Sequence, residues 1–99
     1  MTRLRVAAAQ INAVVGDLDG NAQRVIDAYE AAVAEQCDLV VFPELTITGY
    51  PPEDLLLRPA FVAAASETIA KLAARSGACT AVIGFPERAG DALSNAAAI

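Results

Sequence analysis

The feature that most constrains this chain is a short apolar run that ends at a proline and an acid. Leu39–Phe42 is uniformly apolar, which predicts a buried strand. Pro43 then ends that strand, because a proline cannot donate a hydrogen bond to a sheet ladder. Glu44 follows directly, so a carboxylate is predicted where a strand leaves its sheet, the usual position of a site in an open α/β fold.

The rest of the pattern alternates between strand and helix signals. The predicted strands are 3–9, 38–42, 79–85 and a segment beginning near Ala92. Helices are predicted over 21–36 and 59–76 from apolar residues at helical spacing. The predicted apolar face of the first is Ala22, Val25, Ile26, Tyr29 and Val33, and that of the second is Val62, Ala65, Ile69 and Leu72. Pro59 suits the first position of a helix, and Gly77 suits the end of one. The order strand, helix, strand, helix, strand, strand predicts an α/β fold with a largely parallel sheet covered by helices.

Three connections also carry sequence signals. Asp19 or Asn21 is expected to cap the first helix. Gly16–Gly20 holds two glycines without the lysine of a phosphate-binding loop, so it is predicted to be a turn. Pro86–Asp91, with Gly90, is predicted to be a second turn.

Composition excludes several classes of function. The 99 residues suggest one domain at most, and a hydrophobic content of 56% is enough for a core. A net charge of −5 argues against nucleic-acid binding and gives no reason to expect an anionic membrane surface as partner. No run approaches the ~18 apolar residues of a spanning helix. Gln10 and Asn12 interrupt the segment after the N-terminal arginines, so no signal peptide is predicted and a cytoplasmic location is expected.

The chain has two cysteines and no histidine. A disulfide framework, a zinc site and a histidine-based triad are therefore not expected, and neither is any other metal site. Cys37 lies at a helix-to-strand turn and Cys79 begins a strand, so neither follows a strand end as Glu44 does. We interpret both as packing residues.

Glu44 and Tyr50 are the candidate functional residues. Glu44 is either a general base, favoured by partial desolvation at a strand end, or a loop carboxylate that caps a turn. Tyr50 either lines a substrate pocket or anchors its loop on the sheet. Glu53 and Asp54 are either catalytic or, as we favour, cap the turn at 55–57.

Six segments in order resemble the nitrilase, or carbon–nitrogen hydrolase, superfamily. They are 6–12, 15–21, 38–45, 48–61, 84–87 and 93–98. Within it, the resemblance is closest to the N-terminal glutaminase domain of glutamine-dependent NAD+ synthetases, and Thr48–Leu56 followed by Arg58–Phe61 is the most subfamily-specific piece. A strand followed by proline and glutamate alone would be a weak signal, whereas the whole series is a strong one.

The resemblance implies an α-β-β-α sandwich with a Glu-Lys-Cys triad. Glu44 matches the general base by its place in Phe-Pro-Glu-Leu, and Tyr50 matches a tyrosine of the glutamine pocket. The family's lysine and cysteine come later in sequence than Ile99, and Lys71, Cys37 and Cys79 do not match them. Residues 1–99 are therefore expected to be the leading part of a glutaminase domain, inactive by itself. The apolar run that ends at Ile99 agrees with a fragment.

The resemblance also implies partners and cofactors for a full-length enzyme. Glutamine would be the substrate, and its ammonia would pass to a synthetase domain of the same polypeptide. That domain would use ATP and Mg²⁺ to amidate nicotinic acid adenine dinucleotide to NAD+, and the enzyme is expected to be a homo-oligomer. No cofactor is expected in the 99 residues themselves. Two alternatives stay open: a stand-alone amidase or nitrilase of the same superfamily, and a non-catalytic interaction module with an exposed apolar face.

Overall fold

A computed structural model describes residues 3–99 as one four-stranded sheet with two long helices. The elements are β1 (Val6–Ala8), α1 (Leu18–Ala34), β2 (Leu39–Val41), a short 3₁₀ helix (Glu53–Leu57), α2 (Pro59–Ala74), β3 (Thr80–Ala89) and β4 (Ala92–Ala98). The sheet order is β1-β2-β3-β4; the first three strands are parallel, and β4 is antiparallel to β3. The predicted α/β fold with a largely parallel sheet is confirmed.

Both helices pack on one face of this sheet. Val25 of α1 and Ala65 of α2 belong to the same buried cluster as Val40 of β2 and Ile83 of β3. The register pairs Val40 with Ala81, two residues before Ile83, so the strand residues of this cluster share a face. We call this the helix face. It holds the apolar core of the described residues.

The opposite face carries exposed apolar side chains, and we call it the open face. Val41 follows the buried Val40 and is 38% exposed, as expected when successive strand residues point to opposite faces. Val6 of β1 is 49% exposed, and Leu93 of β4 is also exposed. Within residues 3–99 no helix or second sheet covers this face, although the loop after β2 lies over Gly84. No helix in these residues is long and apolar enough to cross a membrane.

The first helix begins earlier than predicted. It starts at Leu18 because Asp17 is its N-cap, and the carboxylate of Asp17 accepts a hydrogen bond of 3.0 Å from the Gly20 amide. The predicted caps, Asp19 and Asn21, lie inside the helix, so that prediction is wrong. Gly20 is also helical, and the turn predicted for this stretch covers only its first residues.

The third strand runs further than predicted, through Pro86 to Ala89, and a two-residue turn connects it to β4. The predicted turn at 86–91 is therefore wrong except for Gly90, which has a φ of 62°, and Asp91. In an antiparallel sheet, residues opposite each other alternate between hydrogen-bonded and non-hydrogen-bonded pairs, and a two-residue turn is closed by a hydrogen-bonded pair. Ala89 and Ala92 form that closing pair, so Pro86 and Asn95, three pairs further on, form a non-hydrogen-bonded pair. Pro86 therefore removes no hydrogen bond from the sheet, although it has no backbone N–H.

Smaller differences concern the ends and faces of the elements. Pro59 is the first residue of α2, as predicted, but the helix ends at Ala74, before Gly77. The predicted apolar face of α2 is buried at Val62, Ala65 and Leu72. On α1 the prediction included Val33, which is exposed, because the buried stripe passes through its neighbour Ala32.

Candidate active site

The loop that follows β2 has a buried backbone and two exposed side chains of interest. The last hydrogen bond between this strand and β3 runs from the Phe42 amide to the Val82 carbonyl at 3.0 Å, and the chain leaves the sheet at the next residue. Residues 45–49 of the loop are all buried, whereas Glu44 and Tyr50 are exposed on either side of them. The loop is therefore packed into the fold and presents to solvent the two residues predicted to be functional.

Gly84 gives the first half of this loop its place on the sheet. A Cβ atom at Gly84 would lie 2.6 Å from the Leu45 nitrogen and 3.2 Å from the Pro43 oxygen. Any side chain there would displace the loop, because such distances are shorter than van der Waals contact. The Thr46 hydroxyl donates to the Pro43 carbonyl and closes the turn around Glu44. These contacts fix the backbone from which the Glu44 side chain extends.

Asn21 holds the second half of the loop from inside α1. Its side chain is fully buried, and its amide nitrogen donates to the Ile47 carbonyl at 2.9 Å and to the Val14 carbonyl at 2.8 Å. Its amide oxygen accepts from the Val14 amide at 2.8 Å. Asn21 thus joins the turn before α1 to the loop after β2, a role that differs from the predicted helix cap.

Gly49 allows the loop after β2 to approach the turn before α1 closely. Gly49 has a φ of 77°, and a Cβ atom there would lie 2.6 Å from the Val15 nitrogen. Next to it, the Gly16 amide donates to the Thr48 carbonyl at 2.9 Å. A side chain at Gly49 would be strained by its backbone conformation and would also force the two segments apart. Tyr50 follows this fixed point directly.

Asn95 contacts Glu44 and was not predicted as a site residue. Its side-chain amide donates to Oε1 of Glu44 at 2.5 Å. Asn95 is paired with Pro86 on the neighbouring strand, one position from Phe85, whose side chain is buried in the core of the helix face. The alternation along a strand therefore places Asn95 and the Glu44 carboxylate on the open face. The sequence signal was present, since Asn95 lies in one of the segments that resemble the superfamily.

Tyr50 and the acids after it lie further along the loop. Tyr50 is 65% exposed, and in residues 3–99 no hydrogen bond is recorded between it and Glu44. Glu53 and Asp54 lie in the first turn of the 3₁₀ helix, where their negative charge is favourable. Pro52 precedes that helix and supplies no side-chain cap. The roles predicted for Glu44 and Tyr50 stay predictions, and their positions at the two ends of one loop are what the structure adds.

The cysteines and the lysine of this chain lie away from Glu44. Burial raises the pKa of the Cys79 thiol, and the nearby Cys37 and Asp38 add to that rise. A thiol in this state is a poor nucleophile, in line with the predicted packing role. Lys71 lies in the last turn of α2, on the helix face of the sheet. Residues 3–99 contain no group of three or more His, Cys, Asp or Glu residues able to hold a metal ion.

A cavity of about 340 Å³ lies on the helix face between α1 and α2. Its walls include Val25, Tyr29, Leu72 and Ile83, and it includes no residue of the loop after β2. The Tyr29 hydroxyl donates to the Cys79 carbonyl at 2.7 Å and accepts from the Gly77 amide at 2.8 Å. The tyrosine therefore ties α1 to the start of β3, and the cavity is separate from the candidate site.

Comparison with known proteins identifies the family to which this chain belongs. A carbon–nitrogen hydrolase family model matches residues 5–99. The glutamine-dependent NAD(+) synthetase of Xanthomonas campestris pv. campestris is 46% identical over 97 residues, which cover 97% of this chain and 18% of that protein. The crystal structure of a glutamine-dependent NAD(+) synthetase from Cytophaga hutchinsonii matches with a TM-score of 0.91 and 31% identity, covering 95% of this chain and 16% of its own.

A third similarity is to a solved amidase. A mutant of the amidase from Nesterenkonia sp. AN1, in which acrylamide has added to the active-site cysteine, matches with a TM-score of 0.73 and 25% identity. That match covers 86% of this chain and 34% of the amidase. This chain thus spans about 18% of the length of the curated synthetases that it matches. Because the family model covers nearly every residue and the fold is that of its solved relatives, the chain belongs to the carbon–nitrogen hydrolase family.

Proposed function

We propose that this chain is the leading part of the glutaminase domain of a glutamine-dependent NAD+ synthetase, with Glu44 as its general base. The observation that carries the proposal is the exposed Glu44 carboxylate at the end of β2, on a loop with a buried backbone. The 46% identity to a named synthetase over 97% of the chain favours this member of the family.

In the proposed reaction Glu44 takes the proton of a cysteine thiol supplied by a later part of the domain. The thiolate forms a bond to the amide carbon of glutamine. Glu44 then returns the proton to the amide nitrogen, and the carbon–nitrogen bond breaks to release ammonia and leave a thioester. Water then hydrolyses the thioester and releases glutamate. A lysine, also supplied by the later part, would stabilise the oxyanion. Tyr50 would form a wall of the glutamine pocket, a role for which its exposed ring is available.

The ammonia would be used by a synthetase domain of the same polypeptide. There ATP and Mg²⁺ would support amidation of nicotinic acid adenine dinucleotide to NAD+, in a cytoplasmic homo-oligomer. This part of the proposal rests on the named synthetases, which are more than five times as long as their match to this chain. None of the residues described above is assigned to ATP or Mg²⁺.

The open face supports the proposal that the domain extends beyond these residues. Val6, Val41 and Leu93 are exposed there, and burial of such side chains would be favourable by about 25 cal/mol per Å² of apolar surface. In an α-β-β-α sandwich the second sheet would cover this face. Glu44 and Asn95 would then lie between layers and not at the surface.

A hybrid enzyme tests the proposed function. In this hybrid, the present chain replaces the matching stretch of the Xanthomonas campestris synthetase, and NAD+ formation is measured with glutamine or with ammonia as nitrogen donor. We expect activity with both donors. We expect Glu44→Gln to abolish NAD+ formation from glutamine and to leave NAD+ formation from ammonia unchanged. Full glutamine-driven activity in Glu44→Gln would contradict the role of Glu44.

The isolated chain provides a second measurement. We expect the 99 residues to release no ammonia from glutamine, since Cys79 is a buried thiol and lies away from Glu44. Turnover by the isolated chain that disappears in Glu44→Ala would show that the chain holds a complete site, contrary to the proposal.

Another function within the same family is favoured by one observation. The Nesterenkonia amidase shares this fold at a TM-score of 0.73, so a stand-alone amidase is the alternative. A hybrid built on that amidase distinguishes the two. Hydrolysis of simple amides but not of glutamine would favour the amidase, and the reverse would favour the synthetase.

The other alternative is a non-catalytic interaction module that associates through the open face. Size-exclusion chromatography of the isolated chain tests it, since self-association would favour this alternative and a monomer would argue against it.

A further inference from the structure

Among residues 3–99, the Glu44 carboxylate has one recorded hydrogen-bond donor. The Asn95 amide donates to Oε1, and no hydrogen bond to Oε2 is recorded. Both side chains are exposed in these residues, so the contact is not a by-product of core packing. It joins two positions that are 51 residues apart in sequence.

The β3–β4 hairpin explains why the two groups meet. The Glu44 backbone lies over Gly84, where a side chain would collide with the loop. Asn95 is paired with Pro86, which is two residues from Gly84 and therefore on the same face. The Asn95 side chain on β4 therefore lies next to the position over β3 from which the Glu44 side chain extends. A slip of one residue between β3 and β4 would turn Asn95 to the helix face and remove it from the site.

The chemistry of an amide suits the task of orienting a general base. A carboxylate that takes a proton from a thiol must keep one oxygen free and correctly aimed. An amide donor on Oε1 fixes the carboxylate plane and leaves Oε2 available. Because the Asn95 amide does not titrate, it does not compete for that proton. An aspartate at the same position would have the same size but no donor, and its charge would repel the base.

We propose that Asn95 is a positioning residue for the proton transfer, holding Oε1 of Glu44 so that Oε2 faces the incoming thiol. The proposal rests on the proposed function, in which Glu44 is the general base. Asn95 acts through Glu44, and we assign it no contact with substrate.

The hybrid enzyme described above tests this role with Asn95→Leu and Asn95→Asp. We expect each variant to lower kcat for glutamine-driven NAD+ formation about 10- to 100-fold, the size of effect that misplacement of a reacting group by about 1 Å produces. KM for glutamine should change less than about twofold, because substrate binding is not affected. Asn95→Gln keeps the donor on a longer side chain and should retain more kcat than Asn95→Leu.

Two controls separate the possible outcomes. Ammonia-driven NAD+ formation should be unchanged in every variant, and Ser94→Ala, on the same strand but the opposite face, should leave both activities unchanged. If Asn95→Leu and Asn95→Asp keep full kcat while Glu44→Gln is inactive, the positioning role is overturned and the proposed function stands. If Glu44→Gln keeps its activity, the proposed function fails first. A parallel loss of ammonia-driven activity in both Asn95 variants would indicate a merely structural role and would also overturn the proposal.

Discussion

Two asparagines contact the loop after β2, and they differ in almost every physical respect. Asn21 is fully buried and makes three hydrogen bonds to backbone groups of Val14 and Ile47. Asn95 is exposed and makes one hydrogen bond to a side chain, that of Glu44. The buried residue therefore fixes the second half of the loop, whereas the exposed one orients the loop's acid. Stability measurements and activity measurements should separate them.

The largest effect is expected from Asn21→Leu. The change leaves the Val14 amide and the Ile47 carbonyl without a partner inside the protein, each at a cost of about 1–3 kcal/mol. The Val14 carbonyl still accepts from the Asp17 amide at 3.1 Å. We expect the free energy of unfolding to fall by about 3–4 kcal/mol in urea titrations followed by circular dichroism. Asn95→Leu is the matched control and should change it by less than about 0.5 kcal/mol. Equal losses in the two variants would remove the distinction between the asparagines.

A smaller loss is expected from Gly84→Ala. The added methyl group would lie 2.6 Å from the Leu45 nitrogen, so the loop must move away from β3. The expected cost is about 1–3 kcal/mol in the free energy of unfolding. Gly77→Ala is the control, since its nearest contact would be the Tyr29 hydroxyl at 3.9 Å. If Gly84→Ala is as stable as Gly77→Ala, the loop does not depend on close approach to the strand.

Tyr50→Ala should affect substrate binding and not stability. The ring is 65% exposed, so its removal is expected to change the free energy of unfolding by less than about 0.5 kcal/mol. In the hybrid enzyme we expect KM for glutamine to rise about tenfold, which corresponds to about 1.4 kcal/mol of binding. An unchanged KM together with a loss of stability would favour the alternative role of Tyr50 as a loop anchor.

The smallest effect concerns the buried thiol at the start of β3. Burial raises the pKa of Cys79 above its ordinary value of 9.0, so the folded state binds the thiol proton more tightly than the unfolded state does. This contribution to stability is fully present below pH 9.0 and is lost as the pH rises through the higher pKa of the folded state. Unfolding between pH 8 and 10 should therefore show a steeper loss of stability in the wild type than in Cys79→Ala. Parallel pH curves would contradict the assignment to this thiol.

The sequence was sufficient to predict the order of elements and the position of Glu44. Apolar periodicity and the proline after β2 are local signals, and both strands and helices formed where these signals were strongest. The role of Asn21 could not be predicted in this way. A polar residue near a helix start resembles a cap, and only the folded chain brings the Ile47 carbonyl, 26 residues away, to its side chain.

The hairpin shows a second limit of local signals. Pro86 suggested a turn, but a proline is tolerated where the pairing class requires no donor, and that class depends on the position of the turn four residues later. A strand that ends at Phe85 leaves Asn95 without a paired residue, so the face of Asn95 does not follow from local signals. Its contact with Glu44 is not predictable for the same reason. The family resemblance marked the segment but not the side chain.

The distance along the chain between Glu44 and Asn95 has a consequence for the order of events during synthesis. Ribosomes add about 5–20 residues per second, so the 51 residues that separate the two positions take a few seconds to emerge. The contact between Asn21 and Ile47 spans only 26 residues and can form while β3 is still being made. A nascent chain can therefore place the second half of this loop well before the acid on the loop has its partner, and the orientation of that acid is among the last features of these residues to be established.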